Sequence, residues 1–148
     1  MKKYIVVTGG AGFVGSNLIK YLLLNTKDKI ISLDNYSTGS KKKHTKNRRV
    51  KYINADTINI DFALKKYEKN IKVIFHFGEF ARIHQSFIRT NDCFNSNISG
   101  TSNVFCFCLK NKIKIIYSAT SASLGNKGND QNLSPYAFTK SKNLKLLN

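Results

Sequence analysis

The sequence predicts an α/β domain built on a doubly wound parallel sheet. Three observations carry that expectation. Five short apolar runs, over 3–8, 29–34, 50–54, 72–77 and 113–118, read as strands. The first two are continuous rather than alternating, which marks strands buried on both faces. Helical stretches separate most of these runs, so the order βαββαβαβα emerges, with short polar connections. Between the first run and the first helix lies a glycine-rich turn, Thr8 to Gly15.

That turn carries the first chemistry. Gly10, Gly12 and Gly15 match G-x-G-x-x-G, and Gly9, Gly12 and Gly15 match a three-spaced pattern. Glycines let the backbone approach a ligand closely, and the first turn of a helix offers unpaired N–H groups to an anion. A turn linking a strand to a helix can also form without any ligand. The helix is expected over 13–24. The second strand ends at Asp34, 19 positions beyond Gly15. In a dinucleotide-binding βαβ unit, an acid about 20 residues on accepts hydrogen bonds from the adenosine ribose. An acid there repels a 2′-phosphate, so Asp34 favours NAD over NADP. The competing reading is a surface Asp that merely ends a strand.

Farther along, the third strand ends near Asp56. A helix is expected over 57–69, with Ile60, Phe62, Ala63, Leu64 and Tyr67 as packing positions. The loop Gly78 to Arg82 follows the fourth strand, at the carboxyl end of the sheet where such folds bind ligands. His76 and His84 read as packing or polar residues. A long helix is expected over 91–111, with Asn97, Gly100, Thr101 and Val104 on one face. After the fifth strand comes a hydroxyl-rich loop over 119–125. Ser134 and Pro135 start a last helix with a cap and a first-turn proline.

That last helix places Tyr136 and Lys140 four residues apart, on one face. A nearby cation favours a phenolate. Thr120, just past the fifth strand, offers a hydroxyl to the same oxygen. Together they form a proton-transfer set suited to hydride chemistry at a carbon bearing a hydroxyl.

The bulk numbers limit the other classes. The chain has 148 residues and 41% hydrophobic residues, enough for one domain with a core. No apolar run approaches the roughly 20 residues that span a bilayer. The lysines before Tyr4 lack a long apolar region and a cleavage site, so a soluble cytoplasmic protein is expected. Cys93, Cys106 and Cys108 lack C-x-x-C spacing, so no metal site is expected and the thiols read as reduced. The net charge of +17 would attract polyanions. Its densest run, Lys41 to Lys51, sits in one loop without interleaved aromatics, and specific nucleic-acid binding is not expected.

Taken together, Thr8–Gly15, Leu33–Gly39, Phe75–Gly78, Asn97–Thr101, Ser118–Ser121, and Tyr136 with Lys140 resemble the extended short-chain dehydrogenase/reductases. Within them the match is to the NAD-dependent epimerase/dehydratase family, UDP-glucose 4-epimerases above all. The resemblance implies a Rossmann-like domain over 1–148. It implies that Gly9, Gly12, Phe13, Val14 and Gly15 meet the pyrophosphate. Asp34, Asn35, Tyr36, Ser37, Thr38 and Gly39 would line the adenosine ribose, and Asp56 and Thr57 the adenine. Phe77, Gly78 and Glu79 would lie along the cofactor, with Asn97 near the active site. Thr120, Tyr136 and Lys140 would be catalytic, Tyr136 and Lys140 also touching NAD. The implied reaction is epimerisation of a nucleotide sugar at C4 through a 4-keto sugar. Dehydratases of this group carry Thr-Asp-Glu where this chain has Thr120-Ser121-Ala122, which favours the epimerase. Family members run to about twice this length. The resemblance therefore implies a sheet truncated after the fifth strand and following helix, with the substrate half absent. A dinucleotide-binding module without turnover is the alternative. The resemblance also implies pairing of two copies through the helices around 91–111 and 134–148.

Overall fold

The computed structural model describes residues 3–121, 129, 130 and 132–147. Five parallel strands form one sheet: β1 (Tyr4–Thr8), β2 (Lys29–Asp34), β3 (Val50–Asn54), β4 (Ile71–His76) and β5 (Lys114–Tyr117). Their spatial order is β3-β2-β1-β4-β5. The chain winds outward from β1 to β3, then crosses back to lay β4 on the other side of β1. The crevice between β1 and β4 is therefore a topological switch point, where open α/β sheets receive ligands beyond the carboxyl ends of their strands. Register there pairs Val6 with Ile31 on one side and with Ile74 on the other.

The period of two splits β1 between two cores. Ile5 and Val7 face Ile19 and Leu22 of α1 (Phe13–Asn25). Val6 faces the opposite layer, with Ile60 and Leu64 of α2 (Ile60–Leu64) and Val104 and Phe107 of α5 (Thr101–Lys110). Both faces of the sheet are thus covered, as the continuous apolar runs predict.

The helix expected over 57–69 is broken. A 3₁₀ turn over Thr57–Asn59 leads into α2, and a second over Glu68–Asn70 delivers the chain straight to β4. Phe62 is 89% exposed rather than packed. It sits two residues from both Ile60 and Leu64, which places it on the far side of the helix from them. The expected 91–111 helix is helical from Thr90 to Lys110, as α4 (Thr90–Phe94), a π-helical segment (Asn95–Gly100) and α5. Asn97, Gly100, Thr101 and Val104 are all buried, as expected of one face. A further helix, α3 (Ile83–Ile88), had no sequence expectation. Its Ile83, Phe87 and Ile88 are exposed, so its apolar pattern has no inward face to match. The last helix, α6 (Pro135–Leu147), starts where expected, with the Ser134 hydroxyl accepting the Ala137 N–H at 3.0 Å. The hydroxyl-rich loop after β5 lies outside the described residues from 122 onward.

Part of the basic run is used inside the fold. The Arg49 guanidinium donates to the carbonyls of Leu23 and Thr26, the latter at 2.6 Å, and so closes the carboxyl end of α1. A cation there also complements the helix dipole. None of the described helices is long and apolar enough to cross a membrane.

Candidate active site

The glycine turn is shaped by two close approaches. Gly9 has φ of +67°, and a Cβ there would lie 2.6 Å from the Phe77 carbonyl oxygen. A Cβ on Gly15 would lie 2.8 Å from the Gly10 Cα and closer still to the Gly9 carbonyl oxygen. Only bare backbone lets α1 press this tightly against the end of β1. Gly12 makes no side-chain cap, and no acid stands in the first turn of α1. Its first N–H groups are therefore left for an anion.

Asp34 holds the turn from the side. One carboxylate oxygen accepts the Ala11 N–H at 2.8 Å and the other accepts the Tyr36 N–H at 2.8 Å. Each oxygen keeps a second lone pair for a ligand hydroxyl. Asn35 reaches across to Asp56 at 2.8 Å. Tyr36, at φ +58°, turns its hydroxyl to His44 at 3.1 Å, and His44 stacks on Tyr52 with ring centroids 3.6 Å apart. Burial and the Asp34 charge raise the Tyr36 phenol above its ordinary value.

Behind the loop after β4 runs a buried polar chain. The Thr8 hydroxyl oxygen accepts the N–H groups of Phe77 and Gly78 at 3.1 and 3.0 Å. It also meets His76 Nδ1 at 2.7 Å, and His76 Nε2 meets the Thr101 hydroxyl at 2.9 Å. Thr101 donates to Glu79 Oε1 at 2.9 Å. Burial pushes His76 down to about 4, from the ordinary value near 6.5. The fold thus holds the ring neutral while the unfolded chain takes up a proton. His76 contributes its full stability above pH 6.5, and that contribution is lost as pH falls from 6.5 through 4. The shift corresponds to about 3 kcal/mol. Urea titrations of His76→Gln should show a correspondingly flatter loss of stability across that window than the parent.

Lys140 lies at the inner end of this chain, 4% exposed. Its ammonium pairs with Glu79 Oε2, donates to the Ser118 carbonyl, and stands 4.3 Å from the Tyr117 ring centroid. Tyr117 donates its hydroxyl to Glu79 Oε1 at 3.0 Å, and burial together with the Glu79 charge raises its phenol far above the usual range. Asn97 ties the same region together: its Oδ1 accepts the Phe80 N–H at 2.7 Å, and its Nδ2 donates to Thr139 at 3.0 Å.

One groove of about 660 Å³ runs over these groups. Gly9, Gly12, Phe13, Val14, Gly15, Asp34, Asn35, Ser37, Thr38, Gly39, Asp56, Phe77, Glu79, Tyr136 and Lys140 line it. Tyr36, Thr57, Gly78, Asn97 and Thr120 do not. Thr57 instead turns beneath the π-helical segment, where a Cβ on Gly100 would collide with its hydroxyl. Ser118 lines the groove two residues before Thr120. The groove also takes in Phe80 and Arg82, from the loop expected to lie where ligands bind, and Gln85, Arg89 and Asp92, which had no expectation as site residues. Their common signal is position, since they belong to the loop after β4 and the helices that follow it. A helix N-terminus, an acid at the end of the second strand, and a Tyr–Lys pair thus share one trough. That arrangement can hold a dinucleotide with its reactive end near a phenol and an ammonium.

A model of the NAD-dependent epimerase/dehydratase family matches residues 5–147. The chain is 31% identical over 146 residues to the ADP-L-glycero-D-manno-heptose-6-epimerase of Brachyspira hyodysenteriae, covering 92% of this chain and 45% of that one. Among solved structures it is similar to the UDP-N-acetylglucosamine 4-epimerase of Methanobrevibacter ruminantium M1, in complex with UDP-N-acetylmuramic acid. That match has a TM-score of 0.84 and 30% identity, over 99% of this chain and 50% of that one. The Thermus thermophilus UDP-glucose 4-epimerase, solved with NAD, gives a TM-score of 0.84 at 23% identity, over 97% of this chain and 49% of that one, a likeness of fold. The chain spans about half the length of these relatives.

Proposed function

Because the chain belongs to the NAD-dependent epimerase/dehydratase family, we propose that it is the NAD-binding part of a nucleotide-sugar 4-epimerase acting on UDP-glucose and UDP-galactose. The single observation that carries this reading is the continuous groove from the glycine turn, past Asp34, to Tyr136 and Lys140. The residues present fit the dinucleotide. The open first turn of α1 suits its pyrophosphate, and the free lone pairs of Asp34 suit the adenosine ribose. Bound NAD would supply the hydride acceptor and return the hydride. The rest falls to the chain. Tyr136 takes the proton of the sugar 4-hydroxyl at its phenolic oxygen and gives it back after the 4-keto sugar has turned over. Lys140 stabilises the phenolate and donates to the nicotinamide-side ribose.

Calorimetry with NAD tests the cofactor half of this reading, and conversion of UDP-glucose to UDP-galactose tests the rest. The parent should bind NAD and prefer it to NADP. Asp34→Ala should weaken NAD by roughly 10- to 100-fold, the worth of hydrogen bonds to a charged group, and narrow its advantage over NADP. Part of that loss comes from releasing Ala11 and Tyr36. Absence of NAD binding by the parent refutes the reading. NAD binding without sugar conversion supports instead a dinucleotide-binding module without turnover. If the parent converts sugar, Tyr136→Phe should not.

A further inference from the structure

Glu79 stands within the groove's inner wall, but its carboxylate is turned away from solvent and is 5% exposed. Taking a carboxylate out of water is costly unless donors surround it. Here the donors can be assigned one by one. Thr8 already accepts two backbone N–H groups, so its own hydroxyl hydrogen goes to His76 Nδ1. That fixes the proton of the neutral ring on Nε2, which donates to Thr101. The Thr101 hydrogen then goes to Glu79 Oε1. Tyr117 and Asn143 donate to the same oxygen, at 3.0 and 3.1 Å. Oε2 receives the Lys140 ammonium.

Lys140 is correspondingly constrained. Glu79 takes one of its N–H groups, the Ser118 carbonyl takes a second, and the Tyr117 ring lies against the charge. One N–H remains for the groove that Lys140 lines. The chain that aims it begins at Thr8, the residue preceding the glycine turn. The two ends of the groove are therefore joined by one hydrogen-bonded line through the interior.

We propose that Glu79 is a positioning residue: it fixes the Lys140 ammonium so that its remaining N–H meets the nicotinamide-side ribose of the dinucleotide, in the groove that Tyr136 also lines. This rests on the reading of the groove as an NAD site. It differs from a role for Glu79 along the cofactor, because the carboxylate acts through Lys140. It also differs from a purely structural ion pair, because its effect is confined to the nicotinamide end of the ligand.

The test is a double-mutant cycle read with two ligands, NAD and ADP. ADP has the adenosine and the diphosphate but no second ribose. Glu79→Gln and Lys140→Met should each weaken NAD about tenfold, the worth of a lost charge-assisted hydrogen bond. Both should leave ADP within about twofold. The double variant should be no weaker for NAD than Lys140→Met, since Glu79 acts only through that ammonium. Should either single variant fail to fold, the double variant, which removes both buried charges, carries the same comparison of NAD against ADP. NAD affinity unchanged in Glu79→Gln or in the double variant overturns the proposal, as does equal loss of NAD and ADP, or additive losses. A parent that binds neither ligand overturns the NAD-site reading and this proposal with it. A parent that binds NAD while Glu79→Gln binds it equally overturns this proposal alone.

Discussion

Gly15→Val should cost the domain more than about 3 kcal/mol, the upper end of what overpacking does, and should abolish NAD binding with it. The atoms a Cβ would meet are the Gly9 carbonyl oxygen and the Gly10 Cα, both main chain. A flexible side chain could swing aside, but these atoms cannot move without withdrawing the turn from β1 or α1 from the sheet. Retreat of α1 would open the core around Ile19 and Leu22, which pack against Ile5 and Val7. Since a small domain has only about 5–15 kcal/mol in hand, the variant should lose a large part of its urea midpoint. Gly12 offers a contrast, because a Cβ there would meet only the Gly9 oxygen at 3.1 Å. A midpoint for Gly15→Val within experimental error of the parent would show that the turn can yield.

Asn97→Leu should cost about 3–5 kcal/mol, although leucine is of similar size. The residue is fully buried, and its amide serves three elements. Without it the part-buried Phe80 N–H loses its 2.7 Å acceptor, and the fully buried Thr139 loses its 3.0 Å donor. Each buried group left unpaired costs about 1–3 kcal/mol. The damage is also directional. Phe80 belongs to the loop that carries Phe77 and Glu79, and Thr139 adjoins Lys140, so NAD affinity should fall together with the urea midpoint. Loss of stability with unchanged NAD affinity would confine Asn97 to the core.

The sheet was legible because its signals are local. A parallel strand covered on both faces is a continuous apolar run, and the glycine turn and Asp34 sit at a fixed spacing within one βαβ unit. The cap at Ser134 was legible for the same reason. What escaped depends on partners distant in sequence. Helix 57–69 breaks because the chain must enter β4 at Ile71, which no propensity in Lys65 to Lys69 announces. The exposure of Phe62 could have been read from its angular offset from Ile60 and Leu64. The inward turn of Glu79 could not, since its ammonium partner lies 61 residues away. Gln85 likewise joins the groove from a helix whose apolar side chains face outward, where periodicity had nothing to detect.

The Glu79 cluster also bears on how such a chain can vary by descent. Thr101, Tyr117, Lys140 and Asn143 come from three separate elements and all give a hydrogen to one carboxylate. Replacing any of them by a residue without a donor leaves the nearly buried acid a hydrogen bond short. A change at Glu79 strands four donors at once. The side-chain choice at each of these five positions is therefore tied to the choice at the other four.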